Sequence, residues 1–102
     1  VEQTIEDYVQ SARMAQHADY DGVEIMGSEG YLINQFIVTK VNRREDRWGG
    51  DYQARIQFPL EIIRKTRASV GENFIIIYSF SRKEPFYLSC LFKILRKYEW
   101  TK

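Results

Sequence analysis

Residues 21–36 read DGVEIMGSEGYLINQF, and this stretch decides the fold of the chain. A short, mostly apolar run at 23–26 is followed by a loop that contains Gly27, Gly30 and Tyr31. Such a run is typical of a buried strand, and glycines allow close approach of a flat ligand and backbone angles closed to other residues. The pattern therefore predicts a strand that ends in a tight loop. Tyr31 is then either a half-buried packing residue or a phenol placed to transfer a proton.

Helical patterns lie on both sides of this stretch. Apolar residues recur three and four positions apart over residues 4–18, which predicts an amphipathic helix. A second apolar stripe predicts a helix over residues 53–70, and Gly71 stands where a helix commonly ends. Pro59 lacks a backbone donor, so it should either kink this second helix or mark the start of its regular part.

The order of the elements indicates the fold class. Residues 74–78 read FIIIY, a continuous apolar run typical of a strand that is covered on both faces. The chain therefore runs helix, strand, long loop, helix, strand, which predicts an α/β fold with parallel strands and crossover helices. Glu24 is the one charged residue in the first strand, and we expect it to accept hydrogen bonds in a structural role.

The connection over residues 27–50 is long for a compact domain. Structureless loops above about 12–15 residues are usually lids or binding loops, so its length points to a functional site. The mixed charges at 42–47 (NRREDR) are most simply a solvated segment whose members pair with one another and fix the shape of the loop.

The ordered string from residue 21 onward resembles the old yellow enzyme family of flavin-dependent ene-reductases. Residues 21–36 carry the resemblance together with Asn42, Arg43 and the run DRWGG at 46–50. Within the family the chain is most similar to the bacterial-type 2,4-dienoyl-CoA reductases, over about residues 5–78. The resemblance implies two central βα units of a TIM (β/α)8 barrel, with ligands bound at the carboxyl ends of the strands.

The resemblance also implies FMN as cofactor and roles for three residues. In this family reduced FMN delivers a hydride to an activated carbon–carbon double bond and a tyrosine, matched here by Tyr31, supplies the proton. Other members carry histidine, then asparagine or histidine, at two positions that bind the substrate carbonyl, where this chain has Met26 and Glu29. This departure suits a thioester substrate and makes both residues substrate-binding candidates. Alternatively, Met26 fills a core and Glu29 fixes the loop.

A second departure follows the 74–78 strand, and the resemblance ends after Tyr78. Family members usually place an arginine that reaches the flavin next, but Ser79 stands there and Arg82 is a poorly placed substitute. The residues of this chain that bind cofactor are therefore left unassigned.

Length and composition limit what the chain can be. Its 102 residues suffice for one small domain but fall well below the ~250 typical of a complete barrel. Apolar residues make up 44% and charged residues 28%, as in an ordinary globular protein. The single cysteine, Cys90, excludes an internal disulfide, and with the lone His17 it makes no metal site, so we expect a cytoplasmic setting. No run approaches the ~18 apolar residues of a membrane span.

The C-terminal part differs in charge and defines a second region. Residues 1–78 carry 9 Lys and Arg against 12 Asp and Glu, whereas residues 79–102 carry 6 against 2. Apolar residues from Leu88 to Tyr98 recur at helical spacing among basic ones, which predicts a basic amphipathic helix outside the barrel segment. This tail either docks on a partner or an anionic surface, as a non-catalytic interaction module, or covers the exposed edge of the sheet. Nucleic-acid binding is not favoured, because a solvated cationic helix face explains the same charges.

The resemblance finally implies the reaction of the parent enzyme. That reaction is the NADPH-driven reduction of a conjugated enoyl thioester, an unsaturated acyl-CoA, during fatty-acid β-oxidation. Complete enzymes of this branch also hold a 4Fe-4S cluster and FAD, for which we expect no site in this sequence. We therefore expect a truncated or frame-altered fragment that is inactive alone, with residues 79–102 replacing the missing part of the barrel.

Overall fold

The computed structural model describes residues 1–81 and 90–94. The helices and strands are, in chain order, α1 (Glu2–His17), β1 (Gly22–Gly27), α2 (Leu32–Ile37), α3 (Tyr52–Arg55), α4 (Gln57–Val70), β2 (Ile75–Ser81) and β3 (Cys90–Ile94). The order helix, strand, connection, helix, strand is the one that the sequence predicts. Within the described part of the chain, no helix is long and apolar enough to cross a membrane.

β1 and β2 pair in parallel, which confirms the predicted arrangement. Gly22 is the partner of Ile75 at one end of the pair, and Gly27 is the partner of Phe80 at the other. The helices α1 and α4 pack against each other, and Gln16 Nε2 donates a hydrogen bond to the carbonyl of Val70 over 2.7 Å. The buried core joins both helices to both strands and consists mainly of Ile5, Ala12, Ile25, Ile62, Val70, Phe74 and Ile76.

The two faces of the parallel pair have different surroundings. Ile25 and Ile76 are buried in the core, whereas their neighbours Glu24, Met26 and Ile75 point to the opposite face and are exposed. Since successive side chains of a strand alternate between faces, this second face is the one that the predicted barrel would enclose. The Glu24 carboxylate has no hydrogen-bond partner among the described residues, so the hydrogen bonds expected of it are not made there.

The long connection after β1 is packed rather than open. Its helix α2 places Phe36 on the buried ring of Phe58, and Trp48 meets the same ring edge-on with 6.3 Å between centroids. Asn42 Nδ2 donates hydrogen bonds to the carbonyls of Phe36 (2.6 Å) and Trp48 (2.8 Å). In the predicted self-paired charge run, Arg44 forms an ion pair with Asp46 and is exposed. The end of the connection therefore belongs to the core, and the predicted pairing within an exposed charge run is confirmed for Arg44 and Asp46.

Pro59 marks the start of the regular helix, which is one of the two predicted outcomes. It is the third residue of α4, and α3 precedes it as a separate short helix capped by Asp51, whose Oδ1 accepts from Ala54 N over 2.8 Å. The first turn of a helix has no internal partner for its N–H groups, so proline costs no hydrogen bond there. Gly71 ends α4 with φ at 81°, in the left-handed region.

The tail differs from its prediction over residues 90–94. The predicted amphipathic helix is wrong there, because Cys90–Ile94 form β3, which pairs antiparallel with β2 from Ile77↔Ile94 to Ser81↔Cys90. The outer edge of β2 would otherwise leave its N–H and C=O groups unpaired, and pairing satisfies them. This confirms, for β3, the alternative in which the tail covers a sheet edge. The remaining tail residues, 82–89 and 95–102, lie outside the described residues, and so does the helical face proposed for partner binding.

Candidate functional site

The three site residues predicted from the sequence lie together at the carboxyl end of β1. Met26 is the second-last residue of β1 and is 44% exposed on the face of the sheet opposite the core. Glu29 follows in the loop and is exposed, and Tyr31 is 60% exposed directly before α2. Neither Tyr31 nor Met26 belongs to the buried core of the described residues. All three side chains are therefore accessible to a ligand at the strand end where barrel enzymes bind theirs.

A tight turn connects β1 to Tyr31. The turn has positive φ at both central residues, 62° at Glu29 and 76° at Gly30, and the Tyr31 N–H points to the carbonyl of Ser28 over 3.4 Å. Positive φ at both positions is the mark of a type I′ turn, which favours glycine, asparagine and aspartate. The sequence predicts this for Gly30 but not for Glu29, whose left-handed backbone is disfavoured for a residue with a Cβ.

Two amides of α2 bind the peptide groups beside Gly30, and sequence reasoning missed both. Gly30 N–H donates to Asn34 Oδ1 over 3.0 Å, and Gln35 Nε2 donates to the Gly30 carbonyl over 2.7 Å. The signal that could have indicated them is their spacing, four and five residues after the glycine of the turn. We call these two side chains the amide clamp.

Gly27 is required for a close approach rather than for its backbone angles. A Cβ at this position would collide with the phenol end of Tyr78, whose ring lies against it across the two strands. Burial raises the pKa of the Tyr78 phenol strongly, with a smaller contribution from nearby Tyr52. Tyr31 is therefore an exposed phenol at this strand end, whereas the Tyr78 phenol packs against the core and keeps its proton.

Ser79 is the cross-strand partner of Met26. Its chemistry shows whether this pair of residues could bind FMN. The Ser79 side chain is fully buried, and its hydroxyl has no hydrogen-bond partner among the residues that the structure describes. At this position the family resemblance leads one to expect an arginine directed at the flavin. A thioether and a small buried hydroxyl offer no cation for the flavin ring or its phosphate. These residues therefore do not make a flavin site by themselves.

Comparisons with known proteins agree with this geometry. Residues 1–90 match the profile of the NADH:flavin oxidoreductase / NADH oxidase family. The chain is 44% identical over 84 residues to the NADH oxidase of Thermoanaerobacter brockii, a match that covers 82% of the chain and 13% of that protein.

Two solved structures resemble the chain closely. A 2-naphthoyl-CoA reductase in complex with 2-naphthoyl-CoA gives a TM-score of 0.74 at 34% identity, covering 76% of this chain and 12% of that one. The old yellow enzyme from Pichia sp. AKU4542 gives a TM-score of 0.69 at 39% identity, covering 74% and 19%.

The matches identify the fold and the family. The chain spans only a small part of the length of each of these relatives. The old yellow enzymes are TIM barrels, so β1 and β2 with their helices are part of such a barrel, and the predicted fold class is confirmed. The family match runs past Tyr78, where the resemblance was expected to end, to residue 90. The chain therefore belongs to the NADH:flavin oxidoreductase / NADH oxidase family and is an old yellow enzyme segment.

Proposed function

We propose that this chain is the proton-donating segment of an FMN-dependent reductase that acts on a conjugated enoyl thioester, with Tyr31 as the proton donor. The observation that carries the proposal is the exposed phenol of Tyr31, held by a tight turn at the carboxyl end of β1. FMN, when bound by the complete barrel, supplies the hydride in this reaction. The described residues form one wall of the site, and its flavin contacts would have to come from other strands.

The chemistry assigned to Tyr31 follows from its surroundings. A phenol keeps its proton at neutral pH and can release it to a carbon that carries enolate-like charge. In this step the O–H bond of Tyr31 breaks and a C–H bond forms on the substrate, which leaves a phenolate. Because the side chain is 60% exposed, water can return the proton before the next turnover.

Met26 and Glu29 support a thioester rather than a simple ketone as substrate. Neither a thioether nor a carboxylate donates a hydrogen bond to a carbonyl, and both side chains are exposed beside Tyr31. We propose that they contact the acyl part of an unsaturated acyl-CoA, with the thioester oxygen held elsewhere in the barrel. The likeness to a 2-naphthoyl-CoA reductase crystallised with its CoA thioester supports this substrate class. The same proposal includes a 2,4-dienoyl-CoA as substrate, NADPH as electron donor, and a cytoplasmic role in fatty-acid β-oxidation.

Tyr31→Phe tests the proposal in a complete barrel that carries residues 1–81 in place of the matching segment of a 2,4-dienoyl-CoA reductase. We expect reduction of the flavin by NADPH to be unchanged, and its reoxidation by a 2,4-dienoyl-CoA to slow by about 10²–10⁴-fold in stopped-flow absorbance. Tyr20→Phe is the matched control, because Tyr20 is 65% exposed but lies before the opposite end of β1. Equal reoxidation rates for the two variants would remove Tyr31 from the proposed role.

A second variant of this chimera tests the substrate class. Met26→His with Glu29→Asn installs the hydrogen-bonding pair found in other family members. One added hydrogen bond to a ketone oxygen is worth about 1 kcal/mol, so kcat/KM for a cyclic enone should rise at least about fivefold relative to the dienoyl-CoA. An unchanged ratio would contradict the assignment of Met26 and Glu29 to substrate binding.

A further inference from the structure

The direction of the Tyr31 side chain must be set by its backbone. The ring is 60% exposed, so packing against neighbouring side chains cannot hold it firmly. Catalysis depends on position, since a displacement of about 1 Å at a reacting group can cost on the order of 10²-fold in rate. Contacts to the two peptide groups of Gly30, the residue before Tyr31, therefore have to hold the ring in place.

The amide clamp makes contact on both sides of Gly30. The peptide group between Glu29 and Gly30 is held through its N–H by Asn34 Oδ1, and the next peptide group is held through its carbonyl by Gln35 Nε2. The backbone hydrogen bond within the turn, from Tyr31 N to Ser28 O, is 3.4 Å long and contributes little. Gly30 has the greatest conformational freedom in this turn, and the clamp acts on both of its peptide groups.

The clamp is itself anchored in the core. Ile33, between the turn and the clamp residues, is fully buried, and the ring centroid of Phe36 lies 4.0 Å from that of Phe58. Asn34 is buried as well, whereas Gln35 is exposed and reaches the turn along the surface. The core is thus connected to the Gly30 peptide groups through two amide side chains on one turn of helix, and to Tyr31 itself through the backbone hydrogen bond from Gln35 N to the Tyr31 carbonyl over 2.9 Å.

We propose that Asn34 and Gln35 are positioning residues for Tyr31, which hold the turn so that the phenol faces the open end of the barrel. This inference rests on the proposed function of Tyr31, but its test does not. Asn34 acts as an acceptor and Gln35 as a donor, so the two roles can be removed separately without a large change in side-chain volume.

The test is measurement of ¹⁵N relaxation on the whole 102-residue chain, without flavin or substrate. In the unaltered chain we expect backbone order parameters of about 0.85 at Gly30 and Tyr31, the value of rigid backbone. Asn34→Leu removes the acceptor and Gln35→Met removes the donor, and each should lower both order parameters toward about 0.6, the flexible range. Asn34→Asp keeps the acceptor oxygen and should preserve them.

Gln57→Met is the matched control, because Gln57 Nε2 donates to the carbonyl of Gln53 over 3.2 Å on the α3–α4 side, away from the turn. It should leave Gly30 and Tyr31 as rigid as before. The proposal is overturned if Gln35→Met, a change at an exposed position, leaves both order parameters at the unaltered value. It is also overturned if rigidity is lost equally at Ile33 and Phe36, since the amides would then merely stabilise α2. Neither result depends on whether Tyr31 donates a proton, which the turnover of Tyr31→Phe decides.

Discussion

Phe36 stacks on the fully buried ring of Phe58, with 4.0 Å between the ring centroids and 24° between the planes. This contact joins α2, which follows Tyr31, to the core helix α4. The loop after β1 is therefore stabilised by the same apolar cluster that stabilises the sheet, and the position of the site is coupled to global stability.

Phe36→Ala should consequently reduce the stability of the whole chain. Loss of a stacked aromatic ring against the core costs about 3 kcal/mol, to be measured as a lower midpoint of urea unfolding followed by circular dichroism. Leu32→Ala on the same helix is the control, because Leu32 is exposed and its loss should cost less than about 1 kcal/mol. Equal costs for the two variants would mean that α2 is not anchored through Phe36.

Gly27→Ala should destabilise the chain through Tyr78. The added methyl group would meet the phenol end of Tyr78, so the ring must move within the parallel pair, at a cost of about 1–3 kcal/mol. A double-mutant cycle with Tyr78→Leu provides the check, since the penalty at Gly27 should shrink once the ring is absent. Additive effects of the two substitutions would show that Gly27 is needed for another reason.

The order of the elements could be predicted from the sequence because each helix and strand has a local signal in its own residues. The apolar runs of β1 and β2, the position of Pro59 and the glycine at 71 all act over a few neighbouring residues. The sequence leaves two alternatives for Tyr31, a half-buried packing residue or a phenol that transfers a proton, because the neighbouring residues fit both.

The features that the sequence did not predict depend on contacts between separate segments. The strand Cys90–Ile94 has helical spacing, yet it pairs with β2 because an open sheet edge offers hydrogen-bond partners that the spacing cannot indicate. The left-handed Glu29 and the amide clamp depend on how α2 packs after the turn. The close approach of Tyr78 to Gly27 depends on the register of β1 and β2.

The stability of the chain should fall above about pH 10, the ordinary pKa of a tyrosine. Burial raises the pKa of Tyr78, so in alkaline solution this phenol ionises in the unfolded chain before it can do so in the folded one. A group with a raised folded pKa contributes its full stability below the unfolded pKa and loses it as pH rises. Urea midpoints between about pH 8 and 11 should decline less steeply for Tyr78→Phe, and parallel declines would contradict the assignment to Tyr78.

Removal of either unpartnered buried hydroxyl should leave stability unchanged or raise it. Thr66 and Ser79 are fully buried, and neither hydroxyl has a hydrogen-bond partner within residues 1–81 and 90–94. A buried polar group without a partner costs about 1–3 kcal/mol, so Thr66→Val and Ser79→Ala should each gain up to about 1 kcal/mol in urea unfolding. Thr66→Val is the cleaner comparison because the side chain keeps its shape. A loss above about 1 kcal/mol in either variant would imply a hydrogen bond to that hydroxyl.

The 102-residue chain on its own should not retain FMN. The exposed Met26 and the buried Ser79 opposite it offer no cation, and β3 occupies the edge of β2 in an antiparallel orientation, whereas neighbouring strands in a TIM barrel are parallel. Protein purified without denaturant should therefore lack the visible absorbance of flavin, and added FMN should keep the fluorescence of the free cofactor. Ser79→Arg supplies a cation at the position where the family resemblance places one, but we expect it to bind no better, because the rest of the site is still needed. Stoichiometric, tight binding of FMN by the unaltered chain would contradict both the proposed lack of a complete site and the expected inactivity of the chain alone.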